Sequence, residues 1–142
     1  SPVLVEDAMT TEVVTVDADE SLHGAVEQML RERVGSVVVE EDGPSGIVTE
    51  TDVLMAGYRA ERPFVDIPVA RAMSSPLVTV APTTTVRTAS ETMREEGVKK
   101  LPVSEDFELL GMLTTTDVVA HQSELLREAG SLDRRQRDWS MD

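Results

Sequence analysis

Two stretches of seven residues, Gly46-Ile47-Val48-Thr49-Glu50-Thr51-Asp52 and Gly111-Met112-Leu113-Thr114-Thr115-Thr116-Asp117, stand sixty-five positions apart and follow one formula. Each has a glycine, two apolar residues that read as part of a buried strand, and a threonine at the strand's end. Three positions on comes an aspartate at the head of an apolar helical run. The correspondence extends well beyond the motif. Val69, Ala72 and Met73 answer Val5, Ala8 and Met9 at an offset of sixty-four. The same offset relates Val78-Thr79-Val80 to Val14-Thr15-Val16, Ala89 to Ala25, Glu91 to Glu27, Met93 to Met29, Val98 to Val34 and Val103 to Val39. It changes only within Ser104–Leu109, a turn, where a duplicated fold tolerates one inserted residue. A constant offset over two half-chains is internal duplication, so the fold has to be two copies of one unit.

The pattern within a copy defines that unit. In the first, β-branched Val13-Val14-Thr15-Val16 predicts a strand. A helix follows, with Leu22, Ala25, Val26, Met29 and Leu30 at helical spacing and Asp19 or Ser21 as its cap. Gly35-Ser36-Val37-Val38-Val39 reads as a buried strand, and the polar run Glu40 to Ser45 as a hairpin turn into the Gly46 strand. A second helix begins after Asp52 and fades at Gly57. The expected order is strand, helix, strand, strand, helix, an α/β (α+β) arrangement. Repeat one covers 3–57, a connector 58–68, repeat two 69–129 and a C-terminal tail 130–142. The tail carries Arg134, Arg135, Arg137 and the one tryptophan, Trp139, and reads either as an arm for a partner or as a polar terminus.

The junction of strand and helix is where chemistry is expected. It exposes backbone N–H groups, a hydroxyl and a carboxylate on one rim, which suits a sugar phosphate. The plainer reading is that Thr and Asp cap the helix. Their recurrence at matched positions favours a ligand role. Composition narrows the alternatives. With no cysteine and only His23 and His121, thiol catalysis and most metal sites are excluded. A net charge of −14 argues against a nucleic-acid backbone as partner. No apolar run reaches the roughly twenty residues of a membrane span, and the N-terminus lacks a basic stretch followed by a long apolar one. The chain reads as soluble and cytoplasmic. Eleven arginines against two adjacent lysines, Lys99 and Lys100, in so acidic a chain point to a halophilic setting, where salt screens self-repulsion.

Two such repeats, each with a Met ahead of Val-Thr-Val and closing on Gly-h-h-Thr-x-x-Asp (h apolar), resemble a tandem pair of CBS (cystathionine β-synthase) domains over about residues 3–129. The resemblance implies two β-α-β-β-α repeats packed as a pseudo-two-fold pair, often dimerising through helices. It also implies clefts that take adenosine-type ligands such as AMP, ADP, ATP or S-adenosylmethionine. Carried over by residue, the first cleft uses Ile47, Thr49, Thr51 and Asp52 with Pro76, Val98, Lys99, Lys100 and Pro102. The second uses Met112, Thr114, Thr116 and Asp117 with Glu12, Val34, Gly35, Ser36 and Val38. In such clefts the aspartate holds ribose hydroxyls, threonines reach phosphate or ribose, and apolar residues flank adenine. Lys99-Lys100 offers charge to phosphate where Gly35-Ser36 offers only neutral donors, so the first cleft is expected to be the better phosphate site.

No nucleophile sits beside a base in either copy, so the expectation is a non-catalytic regulatory module with no catalytic cofactor and no metal. It would sense an adenosine-type ligand, form a homodimer and act on a regulated protein partner. The alternative is a structural dimerisation module whose clefts are vestigial.

Overall fold

The computed structural model describes residues 1–75, 77–121, 123, 126, 127 and 130. In chain order the elements are α1 (Val5–Ala8), β1 (Thr15–Asp17), α2 (Leu22–Glu32), β2 (Ser36–Glu40), β3 (Pro44–Thr49), α3 (Glu50–Ala60), two 3-10 turns (Phe64–Asp66 and Val69–Arg71), α4 (Val86–Glu96), β4 (Lys100–Glu105), β5 (Glu108–Thr114) and α5 (Thr115–Ala120). Both copies are mixed α+β, but only the first shows the expected strand, helix, strand, strand, helix order; in the second the expected opening strand at Val78-Thr79-Val80 is reduced to a single parallel bridge between Val80 and Val103. The end of repeat two, up to residue 129, and the tail fall largely outside the described residues, as does Pro76.

Local chemistry accounts for the boundaries. Ser21, one of the two candidate caps, is the one used: its hydroxyl accepts from the Gly24 N–H at 3.1 Å. Leu22, Ala25 and Met29 then bury one face of α2, as Val86, Ala89 and Met93 do in α4. Thr85 caps α4 by accepting from the Thr88 N–H at 3.1 Å. β1 runs parallel to β2, and β2 antiparallel to β3. Val37, Val38 and Val39 are all buried, so this central strand is covered on both faces and shows no alternation.

The chain separates into two compact units, and they do not follow the order of the repeats. The first contains Ser1–Thr11, Val80–Val103 and the chain from Leu110 onward; the second contains Glu12–Thr79 and the hairpin tip Ser104–Leu109. In each unit, the segment that opens one repeat in sequence is hydrogen-bonded to the body of the other repeat. In the second unit Leu22 N–H donates to Ile67 O (2.7 Å) and Val69 N–H to Glu20 O (2.9 Å). In the first, Val86 N–H donates to Val3 O (2.9 Å) and Val5 N–H to Thr84 O (2.8 Å), the same pair of bonds displaced by the repeat offset. The opening segment of repeat one also differs from expectation in forming the short helix α1, whose Val5 and Ala8 are buried.

The core of the second unit is built from Leu22, Ala25 and Met29 of α2, Val37, Val39 and Val48 of the sheet, Val53 of α3, Ile67 of the connector, and Val69 and Ala72 of the segment that opens repeat two. One of these, Ile67, comes from the segment read as linker. The helix expected to fade at Gly57 runs on to Ala60, with Glu61 in the left-handed region ending it. Gly57 serves close packing instead, since a Cβ there would lie 2.7 Å from Phe64 Cε1. The connector folds back over this glycine, and that contact offsets the roughly 1 kcal/mol helix cost of glycine.

Candidate functional site

Both copies of the motif place threonine and aspartate in a reciprocal helix cap. At α3, Asp52 Oδ2 accepts from the Thr49 N–H at 2.8 Å and from the Thr49 hydroxyl at 2.9 Å, while the Asp52 N–H donates to Thr49 Oγ1 at 3.4 Å. At α5, Asp117 Oδ2 accepts from the Thr114 N–H at 2.9 Å and the Asp117 N–H donates to Thr114 Oγ1 at 3.2 Å. The capping role is therefore present in both copies. It occupies one carboxylate oxygen and leaves the other available.

That second oxygen distinguishes the copies. Asp117 Oδ1 accepts from the Thr10 hydroxyl at 3.3 Å, whereas Asp52 Oδ1 has no hydrogen-bond donor among the described residues. Thr10 reaches Asp117 because it forms an antiparallel bridge with Met112, with N···O distances of 2.9 and 2.8 Å. Ser74 bridges Ile47 in the same way, at 2.9 and 3.4 Å. The motif glycine makes both bridges possible. A Cβ at Gly46 would lie 2.6 Å from Met73 Sδ, and one at Gly111 would lie 2.6 Å from Met9 Sδ and 2.8 Å from the Thr10 carbonyl oxygen. The methionine that opens each repeat crosses over the glycine that precedes each threonine.

Asp52 opens onto a cavity of about 400 Å³ that lies wholly within the second unit. Along α3 its wall is Asp52, Met55, Ala56 and Arg59; the far side is Arg62, Ile67, Arg71 and Ser74. Such a volume lies within the range of small-molecule sites. The three guanidiniums have no ion-pair partner among the described residues. Arg59, Arg62, Arg71 and Ser74 escaped the sequence reading, although Ser74 stands sixty-four residues after Thr10 and so was legible by the repeat offset.

The remaining expected site residues are distributed as follows. Ile47, Thr49, Thr51 and Asp52 lie in the second unit, with Glu12, Val34, Gly35, Ser36 and Val38. There, β2 to β3 pairing sets Ser36 opposite Thr49, and Glu50 N–H donates to Gly35 O at 3.2 Å. Val38 is fully buried and Glu12 is exposed. Val98, Lys99, Lys100, Pro102, Met112, Thr114, Thr116 and Asp117 lie in the first unit. There the Thr115 N–H donates to Lys99 O at 3.1 Å, setting the lysine pair beside the start of α5. Lys99 is exposed, Lys100 half-buried and Pro102 buried. Among the described residues no cluster of His, Cys, Asp and Glu suits a metal ion, and no helix is long and apolar enough to cross a membrane.

A family model for the CBS domain matches the chain twice, over residues 5–59 and 66–124. A similar curated protein is the CBS domain-containing protein YhcV of Bacillus subtilis, 29% identical over 119 residues, spanning 83% of this chain and 84% of that protein. Three further relatives are longer, and the chain spans 33%, 61% and 58% of their lengths. Among solved structures, the CBS-domain containing protein ATU1752 from Agrobacterium tumefaciens is 28% identical with a TM-score of 0.74, over 84% of this chain and 98% of that one. The CBS domain pair of protein MJ0100, solved in complex with 5′-methylthioadenosine and S-adenosyl-L-methionine, shares the fold at a TM-score of 0.77 and 16% identity, over 87% of this chain and 98% of that one. Both copies match one family model and repeat one set of caps, bridges and glycine contacts, and the chain accordingly belongs to the CBS domain family, as a tandem pair of CBS domains.

Proposed function

We propose that this CBS pair is a non-catalytic regulatory module that binds an adenosine-type ligand, with Asp52 as the acceptor for a ribose hydroxyl. The observation that carries the reading is the unpartnered Oδ1 of Asp52 on the wall of a cavity of about 400 Å³. A half-buried carboxylate whose other oxygen is locked in a cap is already oriented, so a diol binds it without the cost of ordering the side chain. The complex of the MJ0100 pair with two adenosine derivatives supports the choice of ligand class. Ser74 adds a hydroxyl to the same wall. Asp117 makes the weaker site, because a ligand there has to displace the Thr10 hydroxyl.

Thermal unfolding with adenosine, AMP, ATP and S-adenosylmethionine tests this directly. A ligand present at about 100 times its Kd adds about 2.7 kcal/mol to stability. No shift with any of the four at millimolar concentration refutes the proposal. A second reading, a dimerisation module with vestigial clefts, is favoured by the apolar face of α3, where Leu54 is 73% and Tyr58 86% exposed one turn apart. It predicts a dimer that none of these ligands stabilises.

A further inference from the structure

The cavity beside Asp52 has a charge pattern that the second copy of the motif reverses. Arg59 and Arg62 follow Asp52 by seven and ten residues, and the positions matching them after Asp117 hold Glu124 and Arg127. Arg71, in the segment that opens repeat two, corresponds to Asp7 in the segment that opens repeat one. Three cations on one copy thus stand against one cation and two carboxylates on the other. In a chain of net charge −14 with only thirteen Lys and Arg residues, three guanidiniums around one cavity form a local inversion of the overall field.

We propose that the Arg59, Arg62 and Arg71 cavity is an oligophosphate site, which takes a chain of two or more linked phosphate groups. Guanidinium is the donor suited to this, since its planar fork forms paired hydrogen bonds with phosphate oxygens. A single phosphate group carries at most about two negative charges near neutral pH, so two or three linked groups match three guanidinium cations better than one does. Arg59 lies two turns below Asp52 on α3, roughly 10 Å along the axis, and helical side chains lean toward the N-terminus. The carboxylate and the guanidinium therefore address one continuous wall, with the carboxylate toward the cap and the cations toward the connector. This deepens the proposed function in one respect: if a nucleoside occupies the Asp52 end, its phosphates extend toward the arginines. The oligophosphate part stands without the nucleoside. It also gives the two copies different tasks, since the segment that opens repeat one carries Asp7 at the position where Arg71 attracts an oligophosphate.

The test is calorimetric titration of the whole chain with inorganic tripolyphosphate, pyrophosphate and orthophosphate, at about 0.1 M salt so that long-range repulsion is screened. Tripolyphosphate is expected to bind most tightly and orthophosphate least. Arg59→Gln and Arg71→Gln should each weaken tripolyphosphate binding about tenfold or more, while Arg94→Gln on α4 and the double variant Lys99→Gln, Lys100→Gln should leave it unchanged. All three cavity arginines are exposed, so these variants keep the fold. Equal affinity for orthophosphate and tripolyphosphate, or unchanged binding in the cavity variants, overturns the proposal, as does loss of binding in the lysine variant alone. Adenosine titrated in parallel separates the two readings. Tripolyphosphate binding without adenosine binding upholds the oligophosphate site and sinks the nucleoside reading; the converse does the opposite.

Discussion

Replacing Asp52 separates its two duties, because each of its oxygens serves one of them. Oδ2 accepts from both the N–H and the hydroxyl of Thr49, whereas Oδ1 has no donor among the described residues. Asp52→Ala removes both oxygens. It should cost about 1 kcal/mol of stability without ligand, the usual worth of a helix cap. Asp52→Asn keeps a carbonyl oxygen for the Thr49 N–H and turns an amide NH₂ toward the cavity. Its stability should lie within about 0.5 kcal/mol of the parent, as for a substitution that breaks no buried network.

Ligand binding should respond differently. A ribose hydroxyl donating to a charged oxygen is worth about 1.5–3 kcal/mol, so both variants should bind adenosine roughly tenfold to a hundredfold more weakly. Asp117→Asn provides the internal control, since its Oδ1 already accepts from Thr10. That variant should leave the tighter site unchanged. Urea unfolding without ligand gives the first quantity, and calorimetry with adenosine gives the second. If Asp52→Asn binds adenosine as tightly as the parent chain, the oxygen facing the cavity is not the ribose acceptor, and Thr and Asp in this motif are helix caps and nothing more.

Three further outcomes are expected. Gly111→Ala should destabilise by about 2–3 kcal/mol and Gly46→Ala by about 1 kcal/mol, because the new Cβ meets a backbone oxygen, Thr10 O, at 2.8 Å in the first case and only the Met73 side chain in the second. Urea midpoints check the order, and Met73→Ala should rescue Gly46→Ala far better than Met9→Ala rescues Gly111→Ala. Sedimentation should show a dimer that Leu54→Glu with Tyr58→Glu converts to a folded monomer, since both side chains stand exposed on α3; a monomeric parent chain at all salt concentrations refutes it. Melting temperature should rise between low and molar KCl as counter-ions screen the net charge of −14, and a flat or falling curve counts against the halophilic reading.

The elements that were readable in advance are those that local chemistry sets. Ser21 as a cap, Leu22, Ala25 and Met29 as one helical face, and the Val37 to Val39 strand depend on neighbours within a few residues, and the repeat showed each of these twice. The capping boxes were also visible as Thr-x-x-Asp, and weighing them only against a ligand role obscured that one carboxylate serves both. Gly57 misled as a helix stop because its partner, Phe64, lies on a returning segment that helical spacing does not reveal. The cavity arginines were missed for the same reason. Arg59, Arg62 and Arg71 look like scattered surface cations along the chain, whereas Lys99-Lys100 stands out by adjacency.

The sequence by itself determined that there are two copies, what each is made of, and that each ends in a threonine and an aspartate at a helix start, because a repeat offset and a cap are relations between fixed positions. Only the tertiary structure decided how the opening segment of each repeat is used. Met73-Ser74 lies over Gly46 beside Asp52, and Met9-Thr10 over Gly111 beside Asp117. Backbone bridges of this kind are formed by N–H and C=O groups common to every residue, so no side-chain pattern announces them. Through those bridges, folding leaves one aspartate oxygen open to a cavity ringed by arginines and gives its counterpart to a threonine hydroxyl.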